Sequence, residues 1–311
     1  MKKNIKGLMI TALLGLAILA GCQKNEVKEE VKDTPTTVIE HELGKLELAD
    51  KPKTIVAFDY GTIENLDLMG VEISGLPKKT LPENLSKYKD DKYTDVGGLK
   101  EPNFEIIHGL KPDLIIISGR QADMYEDFSK IAPTLYLTID GSKYMEDFKS
   151  NVKDLETIFG ENKDLEEGLV KIEDKLNEIK KTAEAGKNAL FIMTNDGSIS
   201  AYGKGSRFAL IHNEMNIPAA DENIEVSGHG QKVAYEYIKK IDPDFLFVMD
   251  RAAIVGGDNK ATDMLKNDIV DSTKAAKEGN IVYLTSPAWY VGAGGIESTN
   301  IMIDDIVNSY K

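Results

Sequence analysis

The sequence predicts an α/β protein of two Rossmann-like lobes with parallel sheets, joined by a long interlobe helix. Three observations carry that prediction. Short, continuous apolar runs alternate with helical stretches in both halves, a set of landmarks recurs at one constant offset, and a charged, helix-patterned segment lies between the halves. The 311 residues, 41% hydrophobic and 29% charged, hold enough apolar material for two lobes of ordinary size. With 26 Gly, 10 Pro and no short period, the composition excludes collagen, a coiled coil and a wholly disordered chain. A net charge of −14 and a pI near 4.9 argue against a nucleic-acid partner, because no strongly basic face is available to meet a polyanion. A single cysteine excludes a disulfide framework and a thiolate zinc site.

The elements follow in chain order. Lys2, Lys3 and Lys6 precede an apolar run from Gly7 to Gly21 that is too short to span a bilayer, so residues 1–21 read as a signal peptide. The run ends in Leu19-Ala20-Gly21-Cys22, which resembles the lipobox of bacterial lipoproteins. That resemblance implies an acylated Cys22 and an extracytoplasmic body anchored to the cell membrane, since two acyl chains make a durable anchor where one does not. Residues 22–40, rich in Lys, Glu, Asp and Thr, cannot offset their own ordering entropy and read as a flexible tether.

Residues 41–142 form the expected N-terminal lobe. Ile55-Val56-Ala57-Phe58 and Leu114-Ile115-Ile116-Ile117 are continuous apolar runs, as strands covered on both faces should be. Residues 143–186 form a helical connector. Phe148, Val152, Leu155 and Ile158, then Leu165, Leu169, Ile172, Leu176 and Ile179, recur at three and four, with Gly160 breaking the pattern. Such a connector predicts a small hinge opening. Residues 187–311 form the C-terminal lobe, with buried strands at Ala189–Met193, Phe245–Met249 and Ile281–Leu284.

The offset ties the halves together. Glu105, Pro112, Asp113 and Arg120 are matched 131 residues later by Glu236, Pro243, Asp244 and Arg251. In each half a helix ends, Pro-Asp turns the chain, a buried strand follows, and an arginine stands where that strand finishes. Open α/β sheets bind ligands outside the carboxyl ends of their strands. Two guanidiniums at matched strand ends therefore predict an anion-holding cleft between the lobes. Tyr60, just beyond the first strand, is a weaker candidate for the cleft wall.

Ser118-Gly119-Arg120-Gln121, Gly205-Ser206-Arg207-Phe208, Asp221-Glu222-Asn223-Ile224 leading to His229-Gly230, Asp250-Arg251, and Trp289-Tyr290 before a Gly-rich turn resemble the class III substrate-binding lipoproteins of ABC importers. More narrowly, they resemble those that bind ferric catecholate siderophores of the enterobactin and petrobactin type. The resemblance implies a class III periplasmic-binding-protein fold and an iron-transport function without catalysis. It implies that Arg120, Arg207 and Arg251 surround the anionic ferric complex, that His229 and Tyr290 ligate Fe3+ directly, and that Glu105 and Glu236 dock onto an ABC transporter permease. Ferric iron then arrives as the siderophore complex, with no intrinsic cofactor, on a monomeric protein.

The chemistry is coherent by itself. A tris-catecholate fills the six positions of iron with oxygen and is anionic, whereas a bis-catecholate leaves two positions that an imidazole and a phenolate can close. On sequence position, His229 and Tyr290 both fall in loop-like segments. His41, His108 and His212 lack metal-ligand spacing. A haem, corrinoid or hydroxamate ligand on the same scaffold is the alternative, although haem favours an apolar slot over three arginines. A lipid-anchored hydrolase is disfavoured by the lack of G-x-S-x-G, H-E-x-x-H and P-loop motifs, and an adhesin leaves the matched arginines unexplained.

Overall fold

The computed structural model describes residues 37–183 and 186–310; the expected signal peptide and Cys22 lie outside the described residues. The segment begins with a hairpin of β1 (Thr37–His41) and β2 (Gly44–Leu48). An ordered strand thus starts inside the stretch read as tether, because Ile39, Leu46 and Leu48 are buried against the first lobe's core.

The first sheet runs in the order β5-β4-β3-β6-β7 and is parallel throughout. Its strands are β3 (Ile55–Ala57), β4 (Gly75–Leu76), β5 (Thr94–Asp95), β6 (Leu114–Ile117) and β7 (Thr134–Tyr136). Helix α1 (Tyr60–Leu68) follows β3, and α2 (Phe104–Leu110) precedes β6. The second sheet, in the order β10-β9-β8-β11-β12, departs from the all-parallel expectation. Strands β8 (Ala189–Asn195), β11 (Phe245–Asp250) and β12 (Ile281–Tyr283) are parallel, but β9 (Ser198–Tyr202) runs antiparallel to β8, and β10 (Gln231–Val233) pairs antiparallel with β9. The reason is local: Asp196 and Gly197 take φ of 44° and 93° and close a tight hairpin between β8 and β9.

The repeated Pro-Asp landmark has a structural cause. Helix α2 and its counterpart α5 (Tyr235–Ile241) both end on a left-handed residue, Lys111 at φ 51° and Asp242 at φ 49°, just before the proline. Asp113 then accepts the amides of Lys53 and Thr54 at 2.9 and 2.8 Å, and Asp244 accepts that of Asn188 at 2.8 Å. Each aspartate thereby fixes the start of the neighbouring strand, β3 or β8, in register with its own.

The connector is α3 (Tyr144–Phe159), a break at Gly160, and α4 (Lys163–Ala183). Phe148 and Val152 of α3 join the core of the second lobe, while Leu155, Ile158 and Phe159 join that of the first. One apolar stripe is thus shared between two cores. The chain ends with α6 (Ser286–Val291) and α7 (Ile296–Val307), and α7 packs on both α4 and α1.

Where α1 meets the start of α7, the junction is polar and buried. Asn65 donates to the Gly294 carbonyl at 2.7 Å and accepts from the Ile296 amide at 3.0 Å. Glu64, 6% exposed, accepts from the Ser298 amide at 2.9 Å, from the Ser298 hydroxyl, and from Asn84 at 2.8 Å. The approach needs glycine, since a Cβ on Gly295 would lie 2.1 Å from Glu64 Oε2. Burial pushes the Glu64 carboxyl up to about 7, against the pull of its hydrogen bonds.

An acid that binds its proton more tightly when folded loses stability as pH rises from its ordinary value to its raised one. Between about pH 5 and pH 8, wild-type stability should therefore fall relative to Glu64→Gln by up to about 3 kcal/mol in denaturant titrations. Parallel pH profiles for the two proteins would contradict this account of the junction.

Candidate functional site

Both sheets branch at their first strand, with β4 or β9 on one side and β6 or β11 on the other. These are the topological switch points where open α/β sheets leave a crevice. At the first, Asp59 lies just beyond β3 and Ser118-Gly119-Arg120 directly follow β6; at the second, β8 ends at Asn195 and β11 leads into Arg251. Arg120, Arg251, Asp59 and Asn195 all line one cavity of about 690 Å³, which also takes in Arg207 and His229.

The three predicted arginines converge on Tyr290. Arg120 and Arg207 each donate from Nη2 to the Tyr290 carbonyl, at 2.5 and 2.7 Å, and Arg251 donates from Nε to the Tyr290 hydroxyl at 2.8 Å. All three guanidinium carbons lie 5.0–5.6 Å from the centre of the Tyr290 ring. Asn195 accepts the remaining fork of Arg251 at 2.7 Å, and the Arg251 amide donates to the Thr194 carbonyl at 2.9 Å. Arg120 is carried by the turn after β6, where Gln121 accepts the Ser118 amide at 3.1 Å.

The expectation of a loop at Tyr290 is corrected. Tyr290 stands in the last turn of α6, which Ser286-Pro287 initiates with proline in its first turn and Gly292 ends. That placement explains the arginine contacts, because the last carbonyls of a helix have no partner within it. His229 does lie outside regular structure, just before β10, with its side chain exposed to the cavity.

Burial alone would raise the Tyr290 phenol, but the Arg251 hydrogen bond and the charges of Arg251, Arg120 and Arg207 outweigh it and hold the phenol below its ordinary value. Arg207 is enclosed by protein though reachable by solvent from the cavity; burial first, and then the Arg120 charge, bring its guanidinium down to about 10. It stays charged at neutral pH. Asp59 is pushed up by burial while its hydrogen bonds to the Thr62 amide and hydroxyl, 2.9 and 3.0 Å, pull it back. It caps α1.

Tyr60 does not form the wall. With Asp59 capping α1, the chain turns so that Tyr60 points into the core, fully buried, with its hydroxyl donating to the Pro77 carbonyl at 3.0 Å. Glu105 and Glu236 occupy equivalent first turns of α2 and α5 and are exposed, with no ion pair among the described residues. Among the described residues no cluster of three or more His, Cys, Asp or Glu could hold a metal ion.

Sequence reasoning missed Lys100, a further cation on the cavity, in a loop whose Leu99 carbonyl accepts from Gln121. It also missed a plain signal: Arg120, Arg207 and Arg251 are the only arginines in the chain, all other strong bases being lysines. A protein that places every planar, bidentate cation in one cavity marks that cavity by composition.

The model of the periplasmic binding protein family matches residues 55–288. The petrobactin-binding protein YclQ of Bacillus subtilis is 44% identical over 306 residues, covering 96% of each chain. Its crystal structure superposes with a TM-score of 0.86 at 45% identity, covering 89% of this chain and 99% of that one. The ferric-anguibactin-binding protein FatB of Vibrio anguillarum is 34% identical over 306 residues and 95% of each chain. The periplasmic catecholate-siderophore binding protein VctP of Vibrio cholerae superposes with a TM-score of 0.83 at 32% identity, covering 88% of this chain and all of that one.

Because the phenol of Tyr290 is held down while those of Tyr60 and Tyr202 are pushed up to about 12, an ultraviolet titration should show one tyrosine ionising ahead of the rest. Tyr290→Phe should remove that early phase. A titration unchanged by the substitution would show that the three arginines do not act on the phenol.

Proposed function

The chain belongs to the periplasmic binding protein family, and from that premise we propose that it captures an anionic ferric catecholate siderophore in the interlobe cavity and delivers it to an ABC permease for iron uptake. The observation that carries the reading is the convergence of the chain's only three arginines, from both lobes, on one cavity. Relatives named for petrobactin, anguibactin and catecholate siderophores support the same substrate class.

Arginine forks match the planar, negatively charged oxygen pairs of a catecholate, and Lys100 adds a fourth charge. The volume of about 690 Å³ lies within the roughly 300–1,000 Å³ of small-molecule sites. His229 and Tyr290 border the same space, so a chelate with two open iron positions can take its last ligands from them. The lowered phenol of Tyr290 favours the phenolate that iron requires. Cys22 carries the lipid anchor on this reading, and exposed Glu105 and Glu236, one per lobe, meet the permease. The protein acts as a carrier and leaves the chelate chemically unchanged.

Fluorescence of Trp289, which borders the cavity, provides the binding assay. Mature protein should be quenched by ferric bis- and tris-catecholates and far less by ferric hydroxamates or haem. Replacing Arg120, Arg207 or Arg251 by Gln should each weaken binding by about 10- to 150-fold, the worth of one hydrogen bond to a charged group. Equal affinity for catecholate, hydroxamate and haem would refute the assignment. In cells, Cys22→Ser should release the protein from the membrane, and the pair Glu105→Lys with Glu236→Lys should abolish iron uptake while purified protein still binds ligand. Retained anchoring or retained uptake would refute the respective role.

A further inference from the structure

The imidazole of His229 accepts or donates no hydrogen bond among the described residues, so its position is set through its backbone. Tyr202, the last residue of β9, supplies most of that control. Its hydroxyl donates to the His229 carbonyl at 2.8 Å. Its ring packs closely against Gly230, which takes φ +72° and where a Cβ would stand 2.6 Å from Tyr202 Cζ. Directly beyond, Gln231 enters β10 opposite Ala201, the neighbour of Tyr202. On the other side the Gly230 amide donates to the Ser227 carbonyl at 3.1 Å and the His229 amide to the Ser227 hydroxyl at 3.3 Å.

The same ring is part of a continuous aromatic floor. Tyr202 meets Phe208 edge-on at 4.8 Å between centroids, Phe208 stacks on Phe191 at 4.6 Å, and Phe191 meets Trp289 at 5.5 Å. Trp289 is buried, donates from its indole to Asp305 at 2.9 Å, and immediately precedes Tyr290. One rigid layer therefore reaches from the His229 segment to the Tyr290 helix.

We infer that Tyr202 is the positioning residue that fixes His229 relative to Tyr290, and so sets how well the protein completes the coordination of an iron chelate with two open positions. The inference rests on the ligand-binding reading above and deepens it. A chelate that already supplies six oxygens needs neither group from the protein, so the effect of Tyr202 is selective for tetradentate ligands.

The test compares Tyr202→Phe, which keeps the ring and removes the hydroxyl, with His229→Ala and wild type. The probes are a ferric bis-catecholamide and a ferric tris-catecholamide, read by affinity and by the charge-transfer band. Tyr202→Phe should weaken the bis-complex at least about fivefold more than the tris-complex, the scale of one lost hydrogen bond, and move its band toward that of His229→Ala. Gly230→Ala, which drives a methyl into the Tyr202 ring, should give the same selectivity by an independent route, and thermal melts verify that each variant is folded. Equal losses for both complexes, or none, in Tyr202→Phe and Gly230→Ala alongside a selective loss in His229→Ala would overturn the positioning role and leave the ligation reading standing. No selective loss in His229→Ala would overturn both.

Discussion

Three guanidiniums held against one tyrosine are the constraint from which the site is built. Like charges a few ångström apart repel by a few kcal/mol even at an effective dielectric near 20. A cavity lined by them would tend to splay. Here the carbonyl of Tyr290 accepts from Arg120 and Arg207, its hydroxyl accepts from Arg251, and its ring offers its negative face to all three. The carbonyl is available because α6 ends there. A short helix terminus thus does the work that a bound anion would do, and Asn195 steadies the one arginine that touches only the phenol.

For that geometry to exist, two switch points on separate sheets must face the same space. The repeated Pro-Asp turns set strand register within each sheet, and the shared stripe of α3 sets the sheets against each other. The α1–α7 junction adds direction to what would otherwise be apolar packing. Asn65 is satisfied by the Gly294 carbonyl and the Ile296 amide, and Glu64 by Ser298, only in one relative placement, whereas a hydrophobic contact tolerates sliding. The raised carboxyl of Glu64 is the measure of what that specificity costs.

Much of this was readable because strong punctuation marks it. Pro112 and Pro243 follow helix ends, and short uninterrupted Ile and Leu runs bounded by such turns read as strands buried on both faces, which marks the lobes, the connector and the edge carrying Arg120 and Arg251. Local turn chemistry decided what was misread. Asp196-Gly197 is a hairpin signal, and it adds the antiparallel β9 to a sheet whose long apolar runs are all parallel. Tyr60 follows its strand as a cleft residue would, but the Asp59 cap rotates it inward, and capping geometry is not visible in a residue's distance from a strand end. Arg207 has no counterpart in the internal repeat. Family resemblance points to it, and so does its being one of three arginines in the whole sequence. Lys100 had no signal, since one lysine among many is distinguished only by where a loop places it.

The contacts of the arginines with Tyr290 also bear on how the proposed receptor would choose its cargo. A neutral ligand offers the arginines acceptors no better than the carbonyl of Tyr290 that they already have, so exchanging one for the other gains little. An anionic chelate offers charged acceptors, and hydrogen bonds of that kind are roughly twice as strong as neutral ones. Giving up the Tyr290 contacts therefore subtracts a constant amount from every ligand and leaves charge as the difference. Selectivity of this type depends on the acceptor that is displaced as much as on the arginines, which is why the position of Tyr290 at the end of α6 matters for recognition as well as for folding.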